Sequence, residues 1–443
     1  MVMTAKDLAH RIIAVLRSQG YQALLVGGCV RDLLLGREPK DYDVATDARP
    51  DQIAALFPRS GLVGAQFGVV LVREGDAVVE VATFRSDLDY IDGRRPEGVR
   101  FESSPRADAL RRDFTINGLF LEPQSGETLD YVGGADDLRQ GVIRAIGDPV
   151  QRFKEDHLRL IRAVRFAARL GFGIQDGTMA AMQTMAPSIQ RVAPERVRDE
   201  LVRILSEGGA RYGFELLDAS GLLVRILPEI AAMKDVAQPP EFHPEGDVWT
   251  HTLMMLEGLD HPTPALAMGV LLHDVGKPPT FRVADRIRFD GHVEAGVEIG
   301  RDILTRLRFS NDDTEQALAL IANHMKFKDV ARMKESTLKR FLRLPRFDEH
   351  LALHRLDCLN SNGRLDTWKM MRERFAELPP EVLKPAPLIT GRDLIAAGHR
   401  PGPRFGEILT AVEDAQLEGR ITSRDDAMEL VRREWTEPTQ AQP

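Results

Sequence analysis

Up to about residue 150 the apolar positions fall in short runs, "ALLVGG", "VVLV", "AVVEVATF" and "GLFLE", separated by Gly or Asp turns and brief helices. That pattern predicts an α/β or α+β head. Thr4 followed by Asp7 reads as a helix cap at the start. From residue 151 to about 230 the period turns helical, beginning with one helix over "QRFKEDHLRLIRAVRFAARLGF", in which Phe153, Leu158, Ile161, Val164 and Phe166 form an apolar stripe. "AQPPEFHPEGD" predicts a loop, Trp249 opens a second helical block that runs to about Glu377, and a Pro-rich joint, "LPPEVLKPAP", leads to a small tail. There are no internal repeats, and the final "TEPTQAQP" predicts a frayed end.

A chain of 443 residues exceeds one ordinary hydrophobic core, so two to four domains are expected. With 59 basic and 67 acidic residues the net charge is −8, which excludes an evenly basic nucleic-acid coat and confines any RNA contact to local patches. Cys29 and Cys358, far apart in apolar surroundings, fit reduced buried thiols better than a disulfide. Lys6, Asp7, His10 and Arg11 make the start a poor signal peptide, and the apolar run "ALAMGVLL" falls well short of the roughly 20 residues a membrane helix needs. The expectation is a cytoplasmic, unanchored protein.

The most informative stretch is "LLVGGCVRDLLLGREPKDYDVATDA". A strand ends at Val26, Gly27 and Gly28 allow a tight turn, and "CVRDLLLG" reads as a short helix closed by Gly36. A glycine turn opening a helix favours an anion such as a triphosphate, and Arg31 could add charge there. Alone, the glycine pair is an ordinary strand-to-helix turn. Asp41 and Asp43, two apart in a strand-like setting, project their carboxylates on one face and could hold two divalent ions. Glu80 in "VVEVATFR" is the candidate third carboxylate, because Val78, Glu80 and Ala82 share a strand face that could lie beside the first. An Asp-x-Asp by itself is usually a solvated turn. Gly-Gly, helix, Asp-x-Asp and a strand glutamate in this order point to nucleotidyl transfer.

On these motifs the chain resembles the polymerase-beta-like nucleotidyltransferases, and within them the bacterial-type (class II) tRNA CCA-adding enzymes and poly(A) polymerases, over nearly its whole length. The resemblance implies an α+β multidomain protein: a nucleotidyltransferase head with a mixed sheet (1–150), an all-helical neck (151–236), an HD-type helical domain (237–377) and a helical tail (378–443). It implies template-independent addition of C, C and A to tRNA from CTP and ATP, with Mg²⁺ on Asp41 and Asp43 and the triphosphate at Gly27 and Gly28. "RRDFTINGL" resembles the second family motif, in which Arg112 and Asp113 would contact the nucleotide, Asp113 near the ribose. Read bare, that string is equally a helix start capped by Asp113.

Asp156 and Arg159 in "EDHLR" lie three apart on the expected neck helix and would share a face. An Asp acceptor beside an Arg donor matches the amino donor and ring-nitrogen acceptor of cytosine and adenine, and rejects uracil and guanine. The bland reading is a surface ion pair, and the family resemblance, in which this motif reads the base, favours function. "RVAPERVRDEL" resembles the fifth motif, supporting that helix and touching the nucleotide through Arg196. Arg162, Arg165, Arg191 and Arg198 could form a phosphate-binding face or be solvated helix charges. "SDLDYIDGRRPEGVRFESSPRADA" matches in length the flexible loop of full CCA-adding enzymes, which disfavours an enzyme adding only the two cytidines.

His251, His273, Asp274 and Asp357 have the order of an HD metal site, and His292 and His324 would complete a two-metal version. The block resembles an HD phosphohydrolase domain taking a divalent transition metal, and intact ligands there do not by themselves imply turnover. His243, His261, His350, His354 and His399 read as loop or surface residues. The tail "PLITGRDLIAAGHRPGPRFGEILTAV" is, bare, a Gly-capped helical hairpin, and by resemblance a tRNA grip. Expected partners are tRNA, ATP and CTP, with no membrane and no DNA. The alternatives are a poly(A) polymerase, disfavoured by Ala65 and Gln66 before Phe67 where that branch has a basic pair; an enzyme adding only the final A; and an HD phosphohydrolase whose head merely binds RNA.

Overall fold

The computed structural model describes residues 3–61, 68–87, 98–240, 246–361 and 363–435. Two compact units emerge: 1–234 with 259–267 and 302–309, and 235–258 with 268–301 and 310–443. Among the described residues no helix is long and apolar enough to cross a membrane.

The first unit is built on a mixed seven-stranded sheet. In chain order its strands are β1 (Ala23–Val26), β2 (Asp43–Thr46), β3 (Ser60–Gly61), β4 (Val69–Glu74) and β5 (Ala77–Thr83). A separate hairpin, β6 (Arg85–Asp87) with β7 (Val99–Phe101), precedes β8 (Leu119–Leu121) and β9 (Thr128–Asp130). The order across the sheet is β3-β4-β5-β2-β1-β8-β9. Every pairing is antiparallel except β2 with β5, which run parallel with Asp43 opposite Glu80. Helix α1 (Ala5–Ser18) lies against β1, β2 and β5. Its buried Leu8, Ile12, Ile13 and Leu16 recur at helical spacing, each burial contributing about 1.5–3 kcal/mol, and Thr4 and Asp7 form the expected capping box. On the sheet, Leu24, Val26, Ala45, Phe84, Ala109 and Phe120 share one core, with Phe84 and Phe120 edge to face at 6.1 Å.

Short helices α2 (Gly28–Leu34), α3 (Pro50–Leu56), α4 (Pro105–Leu110) and α5 (Gly134–Gln140) link the strands. The neck that follows corrects the sequence reading. The expected single helix is two, α6 (Pro149–Glu155) and α7 (Arg159–Leu170), because Asp156 adopts extended backbone (φ −140°, ψ 108°) and its carboxylate accepts from Leu158 N instead of extending the helix. Beyond α8 (Asp176–Met185), α7 packs with α9 (Pro194–Ser206) and α10 (Ala210–Ala219). The approach is close enough that a Cβ on Gly209, at φ +72°, would come within 2.2 Å of the Ala168 carbonyl oxygen.

Among the described residues the second unit is helical apart from a small hairpin, Arg282–Val283 with Ile287–Arg288, and an isolated bridge between Ala237 and Asp247. Phe327, Phe341, Phe347 and Met371 lead one apolar core, and Ile389, Leu394, Ile408, Val412 and Leu430 form another inside the tail. The expected tail hairpin is present as the helices Gly391–Ala396 and Arg404–Leu417, and a further helix, Arg424–Glu434, follows it. Two histidines expected at the surface are in the core: His350 is buried, and His354 stacks on Phe327 with ring centroids 4.1 Å apart. Burial pushes both imidazoles down to about 4, so they pack as neutral aromatic rings. His261 is exposed as expected, and His243 lies outside the described residues.

Candidate functional site

Sheet register builds the first candidate site. Because β2 and β5 run parallel with Asp43 opposite Glu80, two carboxylates far apart in sequence stand side by side at one position of the sheet. Asp41 lies just before β2 rather than within it. Burial, then Glu80 and Asp41, push the Asp43 carboxyl up to about 6 against the opposing pull of Arg112. A donor set of oxygens that suppresses its own ionisation fits a divalent oxygen-seeking cation.

The glycine turn follows β1, the strand paired with β2. Gly27 holds φ +74°, and a Cβ there would come within 3.1 Å of the Arg112 Nη1, so Arg112 lies directly against the turn. Arg112 is oriented by Asp108, whose Oδ2 accepts from its Nη2 at 2.8 Å and its Nε at 3.1 Å. Arg31, expected to offer charge to a phosphate, is instead buried. Its Nε donates to Asp32 and its Nη1 to Asn117 Oδ1, both at 2.8 Å, with the guanidinium 5.4 Å from the Phe166 ring centre. A guanidinium so engaged ties α2 to Asn117.

Asp113 is held on both oxygens. Its Oδ1 accepts from Phe114 N and Asn117 Nδ2, and its Oδ2 from Arg162 Nε and Nη2 at 2.9 and 2.6 Å. Burial opposes its ionisation, but Arg162 and Asn117 hold the carboxyl far below the usual carboxylate range. Asp156 and Arg159 flank the break between α6 and α7 rather than sharing one helix face. Asp156 Oδ2 accepts from Arg196 Nη2 at 3.1 Å, and Arg159 Nη1 donates to Glu155 at 2.6 Å and to the Arg152 carbonyl at 3.0 Å. Both members of the expected base-reading pair are therefore locked by partners of their own.

The sequence reading missed those partners: Asp108, Asn117, Glu155 and Glu200. It read Arg162 and Arg165 as either a phosphate-binding face or solvated helix charge, whereas Arg165 is buried and its Nε lies 2.6 Å from Glu200 Oε2. The available signal was the spacing of Arg159, Arg162 and Arg165 on one helix stripe in an acidic chain. Phe67 and its two preceding residues, Ala65 and Gln66, lie outside the described residues, as do 88–97 of the expected flexible loop.

All six residues expected of the histidine block converge within the second unit. Among the described residues, His251, His273 and Asp357 form one group with ligand atoms within 4.8 Å of one another, and Asp274, His292 and His324 form another; Asp41, Asp43 and Glu80 do not converge that closely. Three of these histidines repeat one local device: Nδ1 of His273, His292 and His324 bonds the carbonyl three residues earlier, at Val270, Phe289 and Ile321, at 2.7–2.8 Å. A carbonyl only accepts, so the proton sits on Nδ1 and Nε2 is turned to the centre. Burial pushes His324 down to about 4 and lowers His292, leaving both neutral with an inward lone pair. Nε2 of His292 and of His324 is buried without a hydrogen-bond partner, a cost that a metal ion would remove. Asp274 places Oδ2 3.1 Å from His273 Nε2 and Oδ1 3.8 Å from His324 Nε2.

Comparison with known proteins adds three profile matches: the Poly A polymerase head domain over residues 23–144, the RNA and SrmB-binding site of polymerase A over 171–234, and tRNA nucleotidyltransferase domain 2 over 294–431. A CCA-adding enzyme from Lactobacillus helveticus is 31% identical over 428 residues, 95% of each chain. Poly(A) polymerase I of Haemophilus influenzae is 38% identical over 236 residues, 51% of this chain and 52% of that one. The crystal structure of the Bacillus stearothermophilus CCA-adding enzyme in complex with CTP superposes with a TM-score of 0.76 at 26% identity, covering 98% of this chain and 99% of that one.

Proposed function

Since the chain belongs to the bacterial-type family of CCA-adding enzymes and poly(A) polymerases, we propose as its function the addition of C, C and A to the 3′ end of tRNA from CTP and ATP, without a nucleic-acid template. The observation that carries this reading is the Asp43–Glu80 register beside a glycine turn lined by Arg112. The CCA-adding enzyme of Lactobacillus helveticus matches over 95% of the chain, while poly(A) polymerase I matches over 51%, which favours CCA addition.

In this reading the head, 1–150, carries the chemistry, and Asp41, Asp43 and Glu80 would hold Mg²⁺. When bound, the ion supplies charge neutralisation of the triphosphate and activation of the RNA 3′ hydroxyl. Gly27 and Gly28 let the triphosphate approach the backbone, Arg112 pairs with it, and Asp113 orients the sugar. Arg31 acts by bracing α2. In the neck, 151–236, Asp156 and Arg159 present an acceptor and a donor to the base edge, with Arg196 and Glu155 fixing their directions. Because these partners hold the pair in place, selection does not need a nucleic-acid template. The tail, 378–443, would grip the tRNA.

A second activity is favoured by the repeated Nδ1–carbonyl bonds. We propose that His251, His273, Asp274, His292, His324 and Asp357, in the HD-type region 237–377, hold divalent transition metal, which when bound activates water for attack on a phosphoester. The deciding experiment for the main reading offers tRNA lacking one, two or three terminal nucleotides, with CTP and ATP separately and together. All three should be completed to CCA, with CTP alone stopping after two cytidines. A long A tract from ATP alone would make the protein a poly(A) polymerase.

A further inference from the structure

Lys277 is buried beside the histidine cluster, and the two neighbours that bond it are both buried. Its Nζ lies 2.7 Å from Asp274 Oδ2, donates to Gln238 Oε1 at 2.6 Å, and sits 5.4 Å from the Phe289 ring centre. The ammonium is therefore a fixed charge, not a surface lysine that swings through solvent. Its contact divides the cluster unequally. The half formed by His251, His273 and Asp357 has in Asp357 a carboxylate that, among the described residues, pairs with His251 Nε2 at 3.3 Å and with no Lys or Arg. The half formed by Asp274, His292 and His324 has a single carboxylate, and that one already carries Lys277.

We infer that Lys277 is an internal counter-ion that grades the cluster into one tight metal position, at His251, His273 and Asp357, and one weak, exchangeable position, at Asp274, His292 and His324. This rests on the histidine cluster being a metal site. A divalent ion entering the second half meets two neutral imidazoles and a carboxylate whose charge the ammonium offsets, whereas the first half offers two imidazoles and a full negative charge. In a buried setting one compensated charge at this range corresponds to a separation of about tenfold or more in affinity. Gln238 Oε1, by accepting from the same ammonium, helps keep it on Asp274 when no ion is bound.

The test titrates Co²⁺ into the full chain carrying Asp41→Asn and Asp43→Asn, which removes binding at the head, and follows heat and the visible absorption of nitrogen-ligated cobalt. Two steps at least about tenfold apart are expected. Asp357→Ala should remove the tight step and His292→Ala the weak one. Lys277→Met should draw the steps together, and Lys277→Arg, which keeps the charge, should leave them apart. Melting curves establish that each variant is folded; if Lys277→Met is not, the assignment of steps by the Asp357 and His292 variants decides. Two equal steps, or a separation that survives Lys277→Met, would overturn the role of Lys277 while leaving the metal site standing. Cobalt without nitrogen-ligand absorption would bring down the metal site itself, and the grading with it.

Discussion

The two candidate metal sites of this chain solve the same problem with opposite chemistry. In the head, carboxylates gather on a parallel strand pair, and burial first, then the neighbouring Glu80 and Asp41, push the Asp43 carboxyl up to about 6. In the second unit, nitrogens gather in the interior, where burial keeps His324 and His292 neutral and backbone carbonyls fix which nitrogen faces inward. The first accumulates charge that a hard cation must offset; the second accumulates lone pairs that suit a softer one.

The comparison breaks most sharply with Asp41→Ala and Asp43→Ala together. Nucleotide incorporation into truncated tRNA should fall by about a thousandfold or more, while cobalt binding at the histidine cluster is unchanged. Residual incorporation near the parent rate would remove the head from the chemistry.

A smaller effect is expected at the Asp156 turn, for which base reading is proposed. Asp156→Ala should reduce preference for CTP over UTP by about ten- to a hundredfold, with a smaller loss in the rate with CTP. Because Arg196 donates to Asp156, Arg196→Ala should move selectivity in the same direction but less. Unchanged selectivity in both, measured as the ratio of kcat/KM values, would assign base choice elsewhere.

The smallest effect separates the two regions by pH. Asp43 has its folded pKa raised, to about 6 from an ordinary 3.8, so its stabilising contribution is present below pH 3.8 and is lost as pH rises through 6. Without metal at pH 8, Asp43→Asn should therefore stabilise the head by about 1–3 kcal/mol. His350 and His354 behave oppositely: their folded values are lowered to about 4, so stability present above 6.5 declines as pH falls toward 4. His354→Phe should flatten that acid decline, read from thermal melts between pH 4 and 7.

Much of the head was legible because local signals are short-range. Alternation marked β4 and β5, a glycine pair marked the turn into α2, and the face of β5 that carries Glu80 was readable from period two alone. The six metal-type residues of the histidine block were equally visible as residue types, and their convergence was predicted from their order. What failed were readings that depended on distant partners. Arg162 looked like a phosphate contact or a solvated charge, yet it meets Asp113, 49 positions earlier, and His354 looked exposed until Phe327 covered its ring.

The amino-acid order by itself determined which segments are strands or helices and which side chains carry ionisable or ligand chemistry, since both follow from propensity, period and residue type. Only the tertiary structure decided how each charge is used. It gave Arg31 to Asn117, Arg196 to Asp156 and Lys277 to Gln238. The physical reason is that a buried charge takes whichever partner the packed elements bring within about 3 Å, and that distance has no counterpart in sequence spacing.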